Sequence, residues 1–148
     1  MTGFEIRELG PDETHLAREA MLELRPKAGG VEEFVERVNE RQRPEGYRLV
    51  AAMPAGGGGG AVAVAGFRLM HNLIWGRFLY VDDLSTLPDA RRQGLAGRLL
   101  TWMAEEAERL DCSSLQLDSA VGPTRADAHR LYFNHRLQIA AFHFIRVL

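Results

Sequence analysis

Cysteine occurs once in the 148 residues, at Cys112. No disulfide can close within the chain, which excludes the disulfide-stapled class of small domains and fits a reducing compartment. Cys112 follows Asp111 near the end of a helical pattern, with no base beside it in sequence, so it reads as a structural thiol rather than a nucleophile. Neither sign of charge is in excess: 18 Lys and Arg against 20 Asp and Glu leave a formal net charge of −2. That balance gives no electrostatic reason to expect nucleic acid or an anionic membrane as a partner. Long hydrophobic runs are missing, since no stretch approaches the roughly 20 apolar residues of a membrane span. The opening MTGFEIREL has no cationic region ahead of an apolar run, so no signal peptide is expected and the cytoplasm is the expected location. His71, His129, His135 and His143 are scattered at spacings that fit no metal motif, and no metal is expected.

What is present is a globular composition, 46% apolar and 26% charged. It predicts one domain over residues 1–148 with a substantial core. FEIREL (4–9) alternates nearly in period two and predicts a strand. Residues 10–24 and 31–42 predict amphipathic helices, the first with Asp12 as N-cap. YRLVAAM and AVAVAGFRLMHNLI predict strands joined by a turn through PAGGGGG. The glycine run has no Lys-Ser/Thr pair and no helix after it, so it is no nucleotide loop. RFLYVDDLSTL predicts a long strand, 95–110 a long surface helix, SSLQLDSA a short strand, 124–136 a helix and LQIAAFHFIRVL (137–148) a final strand. The order β-α-α-β-β-β-α-β-α-β makes an α/β fold: a mixed, mostly antiparallel sheet with flanking helices and a central parallel strand-helix-strand unit, whose crossover is right-handed.

Between a strand and the long helix stands RRQGLAG (91–97). First-turn N–H groups of a helix lack intrahelical partners and carry the positive end of the dipole, which makes an anion site. Gly94 and Gly97, with small Ala96 between them, would let a phosphate approach the backbone, and Arg91, Arg92 and Arg98 add fork-shaped cationic donors. A solvated turn with routine arginines is the competing reading of these residues. The segment supplies neither a Walker A loop nor the G-x-G-x-x-G dinucleotide fingerprint.

The pattern Arg/Gln-x-x-Gly-x-Gly/Ala, here Arg91-Arg92-Gln93-Gly94-Leu95-Ala96, resembles the coenzyme A pyrophosphate loop of the GNAT superfamily of acetyl-CoA-dependent N-acetyltransferases. The stretch LYVDDLSTLPDARRQGLAGRLLTWMAEEAERLDCSSLQLDS is similar to that superfamily's central core, and ADAHRLYFNHRLQIAAFHF to its C-terminal helix and strand. The order of elements matches over the whole chain.

The resemblance implies acetyl-CoA as cosubstrate and transfer of an acetyl group to a primary amine of a small molecule or peptide, by direct attack in a ternary complex. It implies that Leu84, Ser85 and Thr86 lend backbone groups to the pantetheine arm where two parallel strands splay apart. The amides from Arg92 to Gly97 would then cradle the pyrophosphate. Most alkylamine arrives protonated, with a pKa of roughly 10.4, so a proton acceptor is needed. Asp82 occupies the place where related enzymes often show an acidic residue. Because neighbours on a strand point to opposite faces, Asp83 is expected to face away. Tyr132 falls where the superfamily places a tyrosine near the coenzyme sulfur, to protonate or hydrogen-bond the leaving thiolate. His129 lies one helical turn from it. Relatives often carry Asn where Arg125 stands, and Gly-Phe where this chain reads Arg136-Leu137-Gln138; Asn134 is the candidate to compensate. A homodimer is allowed. A coenzyme-binding sensor or partner module with little turnover, and a nucleotide-binding domain, remain alternatives from the sequence.

Overall fold

The structure is a computed structural model that describes residues 3–148. β1 (Phe4–Leu9), β2 (Arg48–Pro54), β3 (Ala63–Asn72), β4 (Gly76–Thr86) and β5 (Leu115–Leu117) form one sheet in the order β1-β2-β3-β4-β5. The first four pair antiparallel, whereas β5 pairs parallel to β4. A parallel pair needs a crossover, and α3 (Leu95–Arg109) provides it. α1 (Arg18–Leu24) and α2 (Val31–Arg37) lie in the connection from β1 to β2, and α4 (Ala126–Asn134) follows β5. This is the mixed, mostly antiparallel sheet with a parallel strand-helix-strand unit that the sequence pattern predicts.

β2 is covered on both faces, so from Leu49 to Met53 every residue is apolar and buried. In β2, Leu49 and Ala51 join a core with Ala20, Met21, Phe34, Val38 and Tyr47, under the first two helices. Val50 and Ala52 point the other way and pack with Phe67, Leu79, Leu99 and Met103, under α3. Arg48 ties the second layer to the sheet. Its guanidinium makes paired 2.8 Å bonds to the Glu8 carboxylate and a 2.5 Å bond to Glu106, and it lies 4.9 Å from the Phe67 ring centroid. Cys112 is half-buried and packs against the same layer, as a structural thiol would.

Two expectations fail. The first helical segment is capped by Gly10 rather than Asp12: Pro11 takes the first position of a tight 3-10 turn (Pro11–Ala17), which removes an amide that would have been unpaired there anyway. The predicted final strand over 137–148 does not form. Those residues carry no helix or strand, and 138–148 are all exposed. A strand exists through its ladder partner, and the segment is not laid against β5, the adjacent edge of the sheet.

Candidate functional site

The β4–β5 pairing stops at Val81↔Leu117. β4 continues through Asp82–Thr86, paired to β3 on one side and to no strand on the other. Backbone groups left open this way can pair with an extended ligand. β5 turns away into Asp118, Ser119 and Ala120, and the gap is a cleft of about 260 Å³ lined by both strand ends, Arg25 and, from the α4 side, Arg125 and Tyr132. It sits at the carboxyl ends of two parallel strands, where open α/β sheets bind ligands.

A β-bulge shapes one wall. Phe67 opposes Val81 and Gly66 opposes Asp83, so Asp82 opposes nothing. The extra residue re-aims the side chains, and the expectation that Asp82 and Asp83 face opposite sides does not hold. Both line the cleft, and both are held by arginines. Arg68 grips Asp82 with Nε to Oδ2 at 2.9 Å and Nη2 to Oδ1 at 2.8 Å. Arg25 donates from Nε to Asp83 Oδ1 at 2.8 Å and from Nη2 to the Asp82 carbonyl at 3.0 Å. The Tyr47 hydroxyl donates to Asp83 Oδ2 at 2.7 Å. Burial, and then the Asp83 charge, push the Tyr47 phenol well above its usual range, so it stays a donor. Gly66 makes this bond geometrically feasible: a Cβ there would lie 1.7 Å from the Tyr47 hydroxyl oxygen.

The loop before α3 divides into different roles. Gly94 caps the helix in the left-handed region (φ 74°), and a Cβ built on it meets nothing within 4 Å. A side chain or a ligand group therefore has room beside Gly94 at the start of the helix. The Leu95 side chain is buried in the core, so its backbone is what the loop can present. A Cβ on Gly97 would fall 2.8 Å from His135 Nε2, so that glycine admits the end of α4 against α3. Of the three arginines, Arg98 donates to the Phe4 carbonyl on β1 at 3.1 Å. Arg91 reaches Glu23 at 3.2 Å and the Thr86 carbonyl at 3.3 Å. Arg92 is exposed, adopts φ 64°, and has no side-chain partner among the described residues. Of the three arginines expected to meet phosphate, Arg91 and Arg98 are thus engaged by their own chain and Arg92 is not, among the described residues. Gln93 is exposed, Leu84 and Thr86 are half-buried and Ser85 is buried. Asn134 ends α4 on the surface and lines neither this cleft nor a second one of about 500 Å³, which is walled by Gly94, Gly97, Arg98 and Thr101 on the α3 side and by Leu131 and His135.

Tyr132 reaches the first cleft from α4. Arg125 Nη2 lies 3.5 Å from its hydroxyl oxygen and 3.4 Å from Ser119 Oγ, while Arg125 Nε is buried without a partner. His129 Nε2 sits 2.9 Å from the Ala120 carbonyl and 3.0 Å from Ser119 Oγ. A carbonyl only accepts, so Nε2 carries the proton and donates. Across the cleft the Tyr80 hydroxyl donates to Asp118, and burial followed by that carboxylate raises the Tyr80 phenol far above its usual range. Asp118 is the cleft carboxylate with no arginine on it among the described residues. Sequence reasoning passed over Asp118, Ser119, Arg25, Arg68 and Tyr47, and treated Arg125 only as a departure. One signal was available: Asp118 directly follows the second strand of the parallel unit. Among the described residues no cluster of His, Cys, Asp or Glu is placed to hold a metal ion, and no helix is long and apolar enough to cross a membrane.

The model of the acetyltransferase (GNAT) family matches residues 14–135. The chain belongs to the GNAT acetyltransferase family. Solved structures share the fold at low identity. The aminoglycoside N-acetyltransferase AAC(6')-Iy in complex with CoA superposes with a TM-score of 0.82 at 15% identity, covering 99% of this chain and 96% of that one. A ribosomal-protein-alanine N-acetyltransferase from Brucella melitensis gives 0.79 at 19% identity, covering 97% and 99%. An acetyltransferase from Trypanosoma brucei gives 0.78 at 17%, covering 98% and 99%. No curated protein matches the chain. For this GNAT chain, the splayed strands and the glycine-capped helix now have a common context.

Proposed function

We propose that this protein transfers an acetyl group from acetyl-CoA to a primary amine of a small molecule or peptide, by direct attack within a ternary complex. The observation that carries the reading is the end of β4–β5 pairing at Val81↔Leu117, in a strand-helix-strand unit whose helix α3 opens on the left-handed Gly94. An extended thioester arm can add to the free edge of Asp82–Thr86 while its pyrophosphate meets the amides at the helix start and Arg92. The room beside Gly94 fits such a group.

In the reaction the amine nitrogen forms a bond to the acyl carbon, the carbon–sulfur bond breaks, and the thiolate leaves with coenzyme A. The Tyr132 hydroxyl is the donor proposed for that sulfur, with Arg125 beside it. The amine's proton passes to a water in the cleft. Asp82 is proposed as a positioning and electrostatic group rather than a direct base, because both its oxygens are engaged by Arg68. Asp83 anchors Arg25 and Tyr47 at the same wall. Asp118 is the carboxylate left to orient the water or to attract a cationic acceptor. Two of the structural neighbours named above are an aminoglycoside N-acetyltransferase and a ribosomal-protein-alanine N-acetyltransferase, which supports an amine acceptor on either a small molecule or a peptide. The cytoplasm is the proposed location.

The test is thiol release from acetyl-CoA with polyamines, amino acids, aminoglycosides and peptides as acceptors. Release with at least one class is expected. Thermal stabilisation by acetyl-CoA with no thiol release from any acceptor would instead make the protein a coenzyme-binding module. Stabilisation by ATP but not by CoA would make it a nucleotide-binding domain.

A further inference from the structure

The charges of the cleft do not all find partners within it. Its walls carry the carboxylates of Asp82, Asp83 and Asp118 and the guanidinium groups of Arg25 and Arg125. Asp82 is taken by Arg68 and Asp83 by Arg25. Arg125 and Asp118 remain, and they do not hold each other. Half-buried Arg125 has no carboxylate on it among the described residues. Its Nη2 lies at the outer limit of hydrogen bonding, 3.4 Å from Ser119 Oγ and 3.5 Å from the Tyr132 hydroxyl, and its Nε is buried with no acceptor. Asp118 is engaged on one oxygen. The Tyr80 hydroxyl donates to Oδ2, and His143 Nδ1 stands 3.6 Å from the same atom, beyond hydrogen-bond distance. Oδ1 has no partner among the described residues.

The two groups are neighbours. Asp118 is followed by Ser119, whose Oγ is the atom beside Arg125. A guanidinium taken from water without a counter-charge is costly, and an anion removes that cost. The planar fork of an arginine fits a carboxylate through two bonds, and a bare carboxylate oxygen next to it takes a cation or an N–H donor. One small molecule that carries both groups a short way apart satisfies both at once. We infer that the acceptor is a free α-amino acid, with its carboxylate on Arg125 and its amino group toward Asp118, an inference that rests on the acetyl-transfer reading above. Tyr132, the donor proposed for the sulfur, is the neighbour of Arg125. A carboxylate anchored on Arg125 thus holds an amine one carbon away close to the thioester, whereas the N-terminus of a peptide lies too many bonds from its carboxylate to use that anchor. The deprotonated nitrogen bonds to the acyl carbon and the carbon–sulfur pair leaves on sulfur. The proton that the nitrogen then sheds balances the one that the thiol gains, so the products are an N-acetylamino acid and coenzyme A.

The experiment is thiol release from acetyl-CoA with the proteinogenic amino acids. The best of them is compared with its methyl ester, with the amine lacking the carboxyl group and with a dipeptide that begins with it. The free amino acid is expected to exceed each of these in kcat/KM by about 10- to 100-fold. Arg125→Gln should cut that ratio about tenfold or more, and Arg125→Lys, which keeps the charge, should restore part of it. A ratio cancels any general loss of activity in the variant, and the wild-type comparison stands by itself if the variant does not fold. Ester, amine or dipeptide turned over as well as the amino acid, or a ratio unchanged in Arg125→Gln, would overturn the inference and leave acetyl transfer standing. If no acceptor of any class releases thiol, the acetyl-transfer reading is what fails, and calorimetric titration of the CoA-bound chain with the same amino acids decides whether the site exists. Binding that Arg125→Gln weakens at least tenfold would sustain the amino-acid site, and no binding would overturn it.

Discussion

Arg68 and Asp82 face each other across the β3–β4 ladder, with two parallel bonds of 2.9 and 2.8 Å between guanidinium and carboxylate. A bidentate pair of this kind fixes both partners more firmly than a single contact. The bulge brings them together, because Asp82 is the residue with no opposite number on β3.

If Asp82 works through this pair, the two residues should act as a unit. Asp82→Asn and Arg68→Gln are each expected to lower kcat/KM by on the order of 10- to 100-fold, and the double variant to be little worse than either. A direct base would give another pattern, with Asp82→Asn severe and Arg68→Gln close to silent. Steady-state kinetics on the folded variants separates the two.

Gly66 and Tyr47 give a stability prediction independent of any substrate. Gly66→Ala places a carbon inside the Tyr47 hydroxyl, so the ring must move and its bond to Asp83 must break. Overpacking and a lost hydrogen bond to a carboxylate together should cost about 2–4 kcal/mol. Tyr47→Phe, which loses only the bond, should cost less. Urea unfolding of both variants measures the difference.

The two glycines of the loop should respond in different currencies. Gly94→Val is expected to weaken acetyl-CoA binding at least tenfold, about 1.4 kcal/mol, because its side chain would fill the room beside Gly94 at the helix start and its φ of 74° disfavours a branched residue. Gly97→Ala meets His135 instead and should lower thermal stability by loosening α4 from α3. Calorimetric titration and melting curves, run on both, report the split.

Tyr132→Phe keeps the ring and deletes the hydroxyl. Loss of a donor to the leaving thiolate should lower kcat and kcat/KM together by roughly 10- to 1,000-fold, with coenzyme affinity unchanged. The deficit should shrink with an acyl donor whose thiol is more acidic. Wild-type kcat in the folded variant, with chemistry rate-limiting, would reassign the donor to water or a backbone amide.

Glu106 carries the acid dependence of the α3 layer. Bonds from Arg109 and then Arg48 hold its carboxyl down at about 2, below the ordinary 4.5. A folded-state value below the unfolded one stabilises the protein above pH 4.5, and that contribution is lost as pH falls from there through about 2. Arg109 is two-thirds exposed, so solvent screening limits the effect to about 1–2 kcal/mol. Glu106→Gln should lower stability at pH 7 by that amount and flatten the melting temperature between pH 4.5 and 2.

Most of this molecule's order is local and was legible in its residues. The near alternation of 4–9, the apolar run of 48–54, helical spacing from Leu95 to Arg109, and Gly94 at a helix start are short-range patterns, because side-chain direction along a strand or helix depends only on position within it. The parallel unit followed from the order of strand, helix and strand, and the tyrosine of α4 was singled out by the family resemblance alone. Tertiary structure decided where the charges went. Arg25 and Asp83 stand 58 residues apart, Arg68 and Asp82 14 apart, and no periodicity ties either pair. The bulge at Asp82 cancelled a face assignment that strict alternation required, because one unopposed residue resets the pleat. The apolar pattern of 137–148 specified a strand, but a strand also needs a neighbouring edge, and whether one is laid beside it is settled between segments, not within one.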